Sequence, residues 1–280
     1  MPAALTPVLD FMLITAAPDI AVFAQACGVA SIFVDMETRG KHERQGHLDT
    51  HKSAHTLADV AAIAEAVASA EVMFRLNPPW EGTKEEIEAA IAAGARRLML
   101  PMFTSASEVR SFLAAVAGRV PVTFLVEAPQ ALVRLPAYLA ELGPEDRIHF
   151  GLNDLALGCG LRFLFEPLAG RLLDEPARLC GTAGIAFGIG GVGRIGHGEL
   201  PAEWIIGEHV RLGSSWVILS RAFRGNATTR EELDVQFDLA TELAALRQVE
   251  DEFRTAADSL LEENHRRLAD RVFSLVGEQP

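Results

Sequence analysis

Eight short apolar runs, most of them separated by a helical pattern, constrain what this chain can fold into more than any other feature. They are VLDFMLIT (8–15), SIFVDME (31–37), EVMFRLN (71–77), RLMLPM (97–102), VPVTFLVE (120–127), RIHFGLND (147–154), IAFGIGG (185–191) and WVILSRAF (216–223). Runs of this length read as buried strands. Helical patterns such as PDIAVFAQAC, HTLADVAAIAEAVAS, TKEEIEAAIAAG and SASEVRSFLAAVAG lie between them. Several close on Gly, a common helix stop, at Gly28, Gly94 and Gly118. Strands alternating with helices imply right-handed crossovers and a parallel sheet. Eight such units predict an α/β fold, a TIM (β/α)8 barrel spanning 1–225. An open doubly wound sheet is the alternative, but no dinucleotide fingerprint follows the first strand.

The remaining residues, 226–280, read as an extended C-terminal helical segment. No Pro or Gly occurs over 228–276, and Thr228 with Glu231 could form a capping box. Leu239, Leu243, Leu246, Val249 and Phe253 recur at helical spacing, an apolar face too large to leave in water. It either covers the barrel's end or packs on another subunit; because the barrel already has its eight units, the expectation is a neighbouring subunit of a homo-oligomer, a trimer or hexamer.

Composition narrows the function. Apolar residues make up 49% of the 280 and charged residues 22%, enough for a large core and incompatible with global disorder. A net charge of −13 argues against nucleic acid as a partner, since that needs a basic face. No apolar run of about 20 residues offers a membrane span. Cys27, Cys159 and Cys180 have no zinc-like spacing, and so sparse and odd a set fits a reducing cytoplasm.

In a barrel, chemistry sits at the C-terminal ends of the strands. Those ends carry Asp35 and Glu37, Arg75 and Asn77, Pro101, Glu127, and Asn153 with Asp154. A buried unpaired carboxylate is costly, so Glu127 and Asp154 each need a partner. One solution is a salt bridge. The other is a hard divalent cation, and Mg²⁺ commonly takes only one or two protein carboxylates together with water and substrate. Asp35 and Glu37 alternate with Val34 and Met36 and so face the same way. Long connections after strands two (38–55) and six (155–184) are candidate lids.

These segments together resemble the superfamily of HpcH/HpaI aldolases and citrate lyase β-subunits. The likeness covers roughly 8–224. It rests on VDME (34–37), FRLNPPWEGTKEEIEAAIAAGARRLMLPM (74–102), VEAPQAL (126–132) and FGLNDLALGCG (150–160), in that order. It implies a metal-dependent carbon–carbon lyase that cleaves or makes a 4-hydroxy-2-oxo acid through a pyruvate enolate. In that reading Glu127 and Asp154 hold Mg²⁺ or Mn²⁺. Arg75 stabilises the enolate, and the backbone near Asn153 and Asp154 binds the substrate carboxylate. Asp35 and Glu37 orient water and metal ligands. A citrate-lyase-like enzyme acting on an acyl thioester, or a barrel that binds an oxo acid without turning it over, are the alternatives. No lysine ends a strand, so a Schiff-base route has no candidate.

One position departs from the family pattern. Aldolases of this kind place a base His directly after the acid matching Glu37, and citrate lyase β-subunits place Asp there. Here it is Thr38. His42, His47, His51 and His55 in the following loop are the available replacements. Their spacing from His47 to His55 also allows a second metal site. GIGGVGRIG (188–196) could cradle a phosphate. His209, Cys159 and Cys180 read as structural.

Overall fold

The computed structural model describes residues 8–40 and 55–277. Among them, eight parallel strands close into a barrel in sequence order. They are β1 (Asp10–Ile14), β2 (Ser31–Asp35), β3 (Glu71–Arg75), β4 (Arg97–Leu100), β5 (Val122–Val126), β6 (Arg147–Phe150), β7 (Ala186–Val192) and β8 (Trp216–Leu219). The ring closes where β8 returns to β1, with Asp10 opposite Trp216 and Leu13 opposite Leu219. All eight expected strands are present, and closure excludes the open sheet.

Helices cover the outside. In chain order they are α1 (Pro18–Ala26), α2 (Leu57–Ala66), α3 (Thr83–Ala92), α4 (Ala106–Val116), α5 (Pro129–Val133), α6 (Leu135–Leu139), α7 (Leu152–Gly158), α8 (Glu166–Ala169), α9 (Asp174–Ala183), α10 (Ala202–Leu212), α11 (Arg230–Gln236), α12 (Leu239–Arg254) and α13 (Asp258–Gly277). Local chemistry sets their ends. Thr56 and Ser105 open α2 and α4 with reciprocal capping boxes to Asp59 and Glu108. Gly28 and Gly94 stop α1 and α3 at φ of 94° and 98°, which a side chain would strain.

Inside the ring, side chains form layers. At the N-terminal rim, Arg97 Nε donates to Glu71 Oε2 (2.9 Å), and Arg147 approaches the same oxygen at 3.6 Å. Arg97 Nη1 also donates to the carbonyls of Val122 and Glu145, so this rim is a paired polar plug. Above it, Met12, Phe33, Met73, Met99, Leu125 and Trp216 pack as an apolar layer. The ionisable groups expected to do chemistry lie above that, at the opposite rim.

Local expectations need correction at three points. Asn153 and Asp154 do not end a strand: β6 stops at Phe150, and both sit in the first turn of α7. The connection after β6 is not an open lid but folds largely into α7, α8 and α9. The C-terminal segment caps at Thr229, which accepts from the Glu232 N–H, one residue later than Thr228 and Glu231.

The apolar face expected to meet a neighbouring subunit is buried within the chain, where α12 and α13 pack on α10. Leu239, Leu243, Leu246, Leu268 and Val272 join the main core. Glu250, fully buried on α12, accepts the Leu9 N–H at 2.7 Å, tying this segment to the start of β1. Truncating a fully buried Leu removes transfer energy and leaves a cavity. Leu246→Ala is therefore expected to lower stability by about 2–5 kcal/mol, read as a shifted urea midpoint at unchanged slope. A loss below about 1 kcal/mol would mean that α12 is not part of the cooperative core.

Candidate active site

At the C-terminal rim a cavity of about 200 Å³ opens. It is lined by Arg75, Glu127, Asn153 and Asp154, by His149, and by apolar groups including Phe33, Met99, Leu125 and Ile218. Each polar residue arrives there for a local reason. Arg75 and Asp35 end adjacent strands and are opposite in register. Glu127 is the first residue beyond β5. Gly151 ends the β6 segment and turns the chain into α7, bringing Asn153 and Asp154 to the cavity wall.

Arg75 is the electrostatic centre. Its Nε and Nη2 donate to Asp35 Oδ1 and Oδ2 at 2.9 and 2.7 Å, a bidentate fork. Nη2 also lies 3.4 Å from Glu37 Oε2. Both acids are buried, and Glu37 is fixed further by its own N–H donating to Asp35 Oδ1. Burial alone would lower the Arg75 pKa, but Asp35 first, then Glu37 and Glu127, outweigh it and raise it. The guanidinium therefore stays charged. Phe33 stacks below it, 5.4 Å from ring centroid to guanidinium carbon.

Glu127 is 5% exposed, and its Oε1 accepts the Met102 N–H at 3.2 Å. Gly151 gives its carboxylate room: a Cβ at 151 would stand 2.9 Å from Glu127 Cβ and 3.0 Å from Oε2. Asp154 is held from the side by Asn153 Nδ2, 3.2 Å from Oδ1. All six site residues singled out in the sequence thus lie at one rim. Asp35 and Glu37 brace Arg75 rather than line the cavity themselves.

Glu127 and Asp154 offer oxygen ligands only, which suits a hard divalent cation. Among the described residues no group of three or more His, Cys, Asp and Glu gathers in a metal-holding arrangement. Among the described residues, a cation here would rest on the two carboxylates of Glu127 and Asp154. That donor set fits a catalytic Mg²⁺ or Mn²⁺ and not a closed structural site.

Thr38 is not in a position to replace a base. Its N–H and hydroxyl both donate to Asn77 Oδ1, at 2.9 and 3.3 Å, and Asn77 in turn donates to Glu86. Of the four loop histidines, His42, His47 and His51 lie outside the described residues. His55 reaches the site: the Asp35 N–H donates to its Nδ1 at 3.0 Å. In the 188–196 stretch, Gly188 and Gly190 have packing reasons. A Cβ at Gly188 would stand 2.6 Å from the Trp216 indole, and one at Gly190 2.8 Å from Leu152. His209 is structural as expected, with Nδ1 2.8 Å from Ser214 Oγ and its pKa pushed down to about 3 by burial. The residue that sequence reasoning missed is His149, which is fully enclosed and lines the cavity.

No protein-family model matches the chain, and no curated protein matches it. Solved structures do. A HpcH/HpaI aldolase from Desulfitobacterium hafniense DCB-2 superposes with a TM-score of 0.59 at 14% identity, covering 90% of this chain and 95% of its own. A HpcH/HpaI aldolase/citrate lyase family protein from Burkholderia cenocepacia J2315 gives a TM-score of 0.58 at 19% identity, covering 89% and 95%. At these identities the likeness establishes the shared barrel fold.

Proposed function

We propose that this chain is a divalent-metal-dependent carbon–carbon lyase of the HpcH/HpaI type, cleaving or forming a 4-hydroxy-2-oxo acid by way of a pyruvate-type enolate. The observation that carries the reading is Arg75, locked by Asp35 and Glu37 at the edge of a cavity it shares with Glu127 and Asp154. A fixed cation beside two oxygen-only ligands suits a reaction that develops negative charge on a keto acid. The fold shared with an aldolase and with an aldolase/citrate lyase family protein supports the same class.

In this reading Glu127 and Asp154 hold the cation. When bound, it supplies Lewis acidity toward the keto oxygen, worth several kcal/mol. Arg75 binds and orients the oxo-acid end and stabilises the charge that develops there. Asp35 and Glu37 keep the guanidinium from swinging away, so little reorganisation is needed as the bond breaks. Gly151 caps α7 without a side chain, leaving first-turn N–H groups for the substrate carboxylate. The apolar wall of Phe33, Met99, Leu125 and Ile218 excludes water and strengthens these interactions. His55 is the described loop histidine that touches this network, through the Asp35 N–H. With Nδ1 accepting from Asp35, the neutral ring carries its proton on Nε2. Lys84, the lysine among the described residues, lies on α3 and does not line this cavity.

The test is pyruvate release from a panel of 4-hydroxy-2-oxo acids. Turnover should fall at least about 100-fold in EDTA and return with Mg²⁺ or Mn²⁺. No release from any acid with either ion sinks the aldolase reading. Turnover confined to acyl thioesters would favour a citrate-lyase-like enzyme, and oxo-acid binding without turnover a silent barrel.

A further inference from the structure

We propose that Asn77, with Glu86 behind it, is a positioning residue for the reaction: it clamps the chain that leaves β2 and thereby holds Glu37 against the Arg75 guanidinium. This rests on the lyase reading above. Neither residue lines the cavity, and both act on it through Glu37.

The register between β2 and β3 ends with Asp35 opposite Arg75, and one further main-chain bond follows, from the Met36 N–H to the Arg75 carbonyl at 3.2 Å. Beyond it the side chain of Asn77 continues the pairing. Asn77 lies two residues past Arg75 and is buried. Its Oδ1 accepts the N–H groups of Thr38 and Arg39, both at 2.9 Å, and the Thr38 hydroxyl at 3.3 Å. Its Nδ2 donates to Glu86 Oε1, in the first turn of α3, and its N–H lies 3.4 Å from Glu86 Oε2. The carboxylate fixes which way round the amide sits, because it can only accept. A hydrogen bond to a charged acceptor is also roughly twice as strong as one between neutral groups. Arg39 is held a second time, with its guanidinium carbon 4.1 Å over the Trp80 ring.

Glu37 lies inside this clamp. Its own N–H donates to Asp35 Oδ1 at 3.1 Å, and Thr38, the next residue, is fixed by Asn77. The Glu37 carboxylate then faces Arg75 Nη2 at 3.4 Å, longer than either bond of the Asp35 fork. So long a contact depends on where the backbone places the carboxylate. With Glu37 loose, the guanidinium would keep one fork and could pivot on it, and a misplacement of about an ångström is enough to show in the rate. Asn is the side chain this position needs. Two backbone N–H groups require an acceptor and a carboxylate requires a donor, within one short group. Asp would set one carboxylate against another. Leu would leave the N–H groups of Thr38 and Arg39 without their acceptor.

The experiment exchanges donor and acceptor across the Asn77–Glu86 pair and follows cleavage of 4-hydroxy-2-oxobutanoate by the Mg²⁺-loaded protein. Asn77→Asp should lower kcat by about tenfold and leave KM within about twofold of wild type, because the Asp35 fork still holds Arg75 for binding. Adding Glu86→Gln to it restores the net charge of the pair and each of its bonds with the polarity reversed. In that paired variant kcat should return to within about threefold of wild type. A second comparison asks whether the effect runs through Glu37. In a Glu37→Gln background Asn77→Asp should lower kcat by less than about twofold, whereas a merely structural role gives the same factor in both backgrounds. Should Asn77→Asp not fold, Glu86→Ala carries the same comparison. It takes the acceptor from Asn77 Nδ2, so it should lower kcat at least about threefold in wild type and leave Glu37→Gln unchanged. Losses that multiply with that of Glu37→Gln, or a paired variant no faster than Asn77→Asp, overturn the assignment and leave the lyase reading standing. If wild type cleaves no oxo acid with Mg²⁺ or Mn²⁺, the lyase reading falls and this proposal with it.

Discussion

Arg75→Ala is expected to lower kcat/KM by about 10²–10³-fold and to cost about 3–5 kcal/mol of stability. Both effects follow from one arrangement. The guanidinium is forked onto Asp35, reaches Glu37 and feels Glu127, and all three acids are nearly inaccessible to water. Removing the guanidinium takes the bidentate fork from Asp35 and a positive charge from beside Glu37 and Glu127. The fork therefore couples the loss of rate to a loss of stability. Arg75→Lys separates the two losses. It restores a positive charge but not the planar pair of donors, so it should recover much of the stability and little of the rate. Steady-state kinetics and urea unfolding of the three proteins decide the matter. Wild-type rates in Arg75→Ala would refute its role at the site, and an unchanged urea midpoint would refute the buried-network argument.

Gly151→Ala is expected to reduce activity by about 10²-fold while costing only about 1–3 kcal/mol. The added methyl would stand 2.9 Å from Glu127 Cβ, 3.0 Å from its Oε2 and 3.0 Å from Leu125 Cδ1. Real contacts of this kind do not occur so close, so the Glu127 carboxylate must move. It has little freedom to do so harmlessly, because it is buried and takes the Met102 N–H. Displacing a catalytic group by about an ångström is enough for a loss of that size. Gly181→Ala is the control, since nothing stands within 4 Å of a Cβ there. Kinetics within about threefold of wild type for Gly151→Ala would show that the Glu127 position does not matter to the reaction.

Much of this is legible in the sequence. The strand count and the rule that chemistry gathers at strand ends place Asp35, Glu37, Arg75 and Glu127 correctly, because each directly ends or follows a β run. Asp154 was harder. The stretch HFGL stays apolar through the turn, and an apolar helix start has no periodicity to separate it from a strand. His149 was invisible for another reason. A polar residue inside a buried run gains meaning only when register shows which way it faces and what it stacks on. The C-terminal helices announced an apolar face that must be covered, but periodicity cannot name the surface that covers it; that surface is α10 of the same chain. The contact between His55 and the Asp35 backbone spans 20 residues, and the sequence carries no signal for it.

The join between the two ends of the chain has a kinetic consequence. β1 finds its second neighbour in β8, and the Leu9 N–H finds its acceptor in Glu250, 241 positions away. Closing so long a loop carries an entropic penalty that must be met before the contact gives anything back. During synthesis the first strand therefore waits with one edge open until the last strand and α12 have left the ribosome. Through that interval its exposed edge can pair with another nascent chain. The slow step of folding should be this closure, so destabilising α12 should raise aggregation during refolding more than its equilibrium effect alone would suggest.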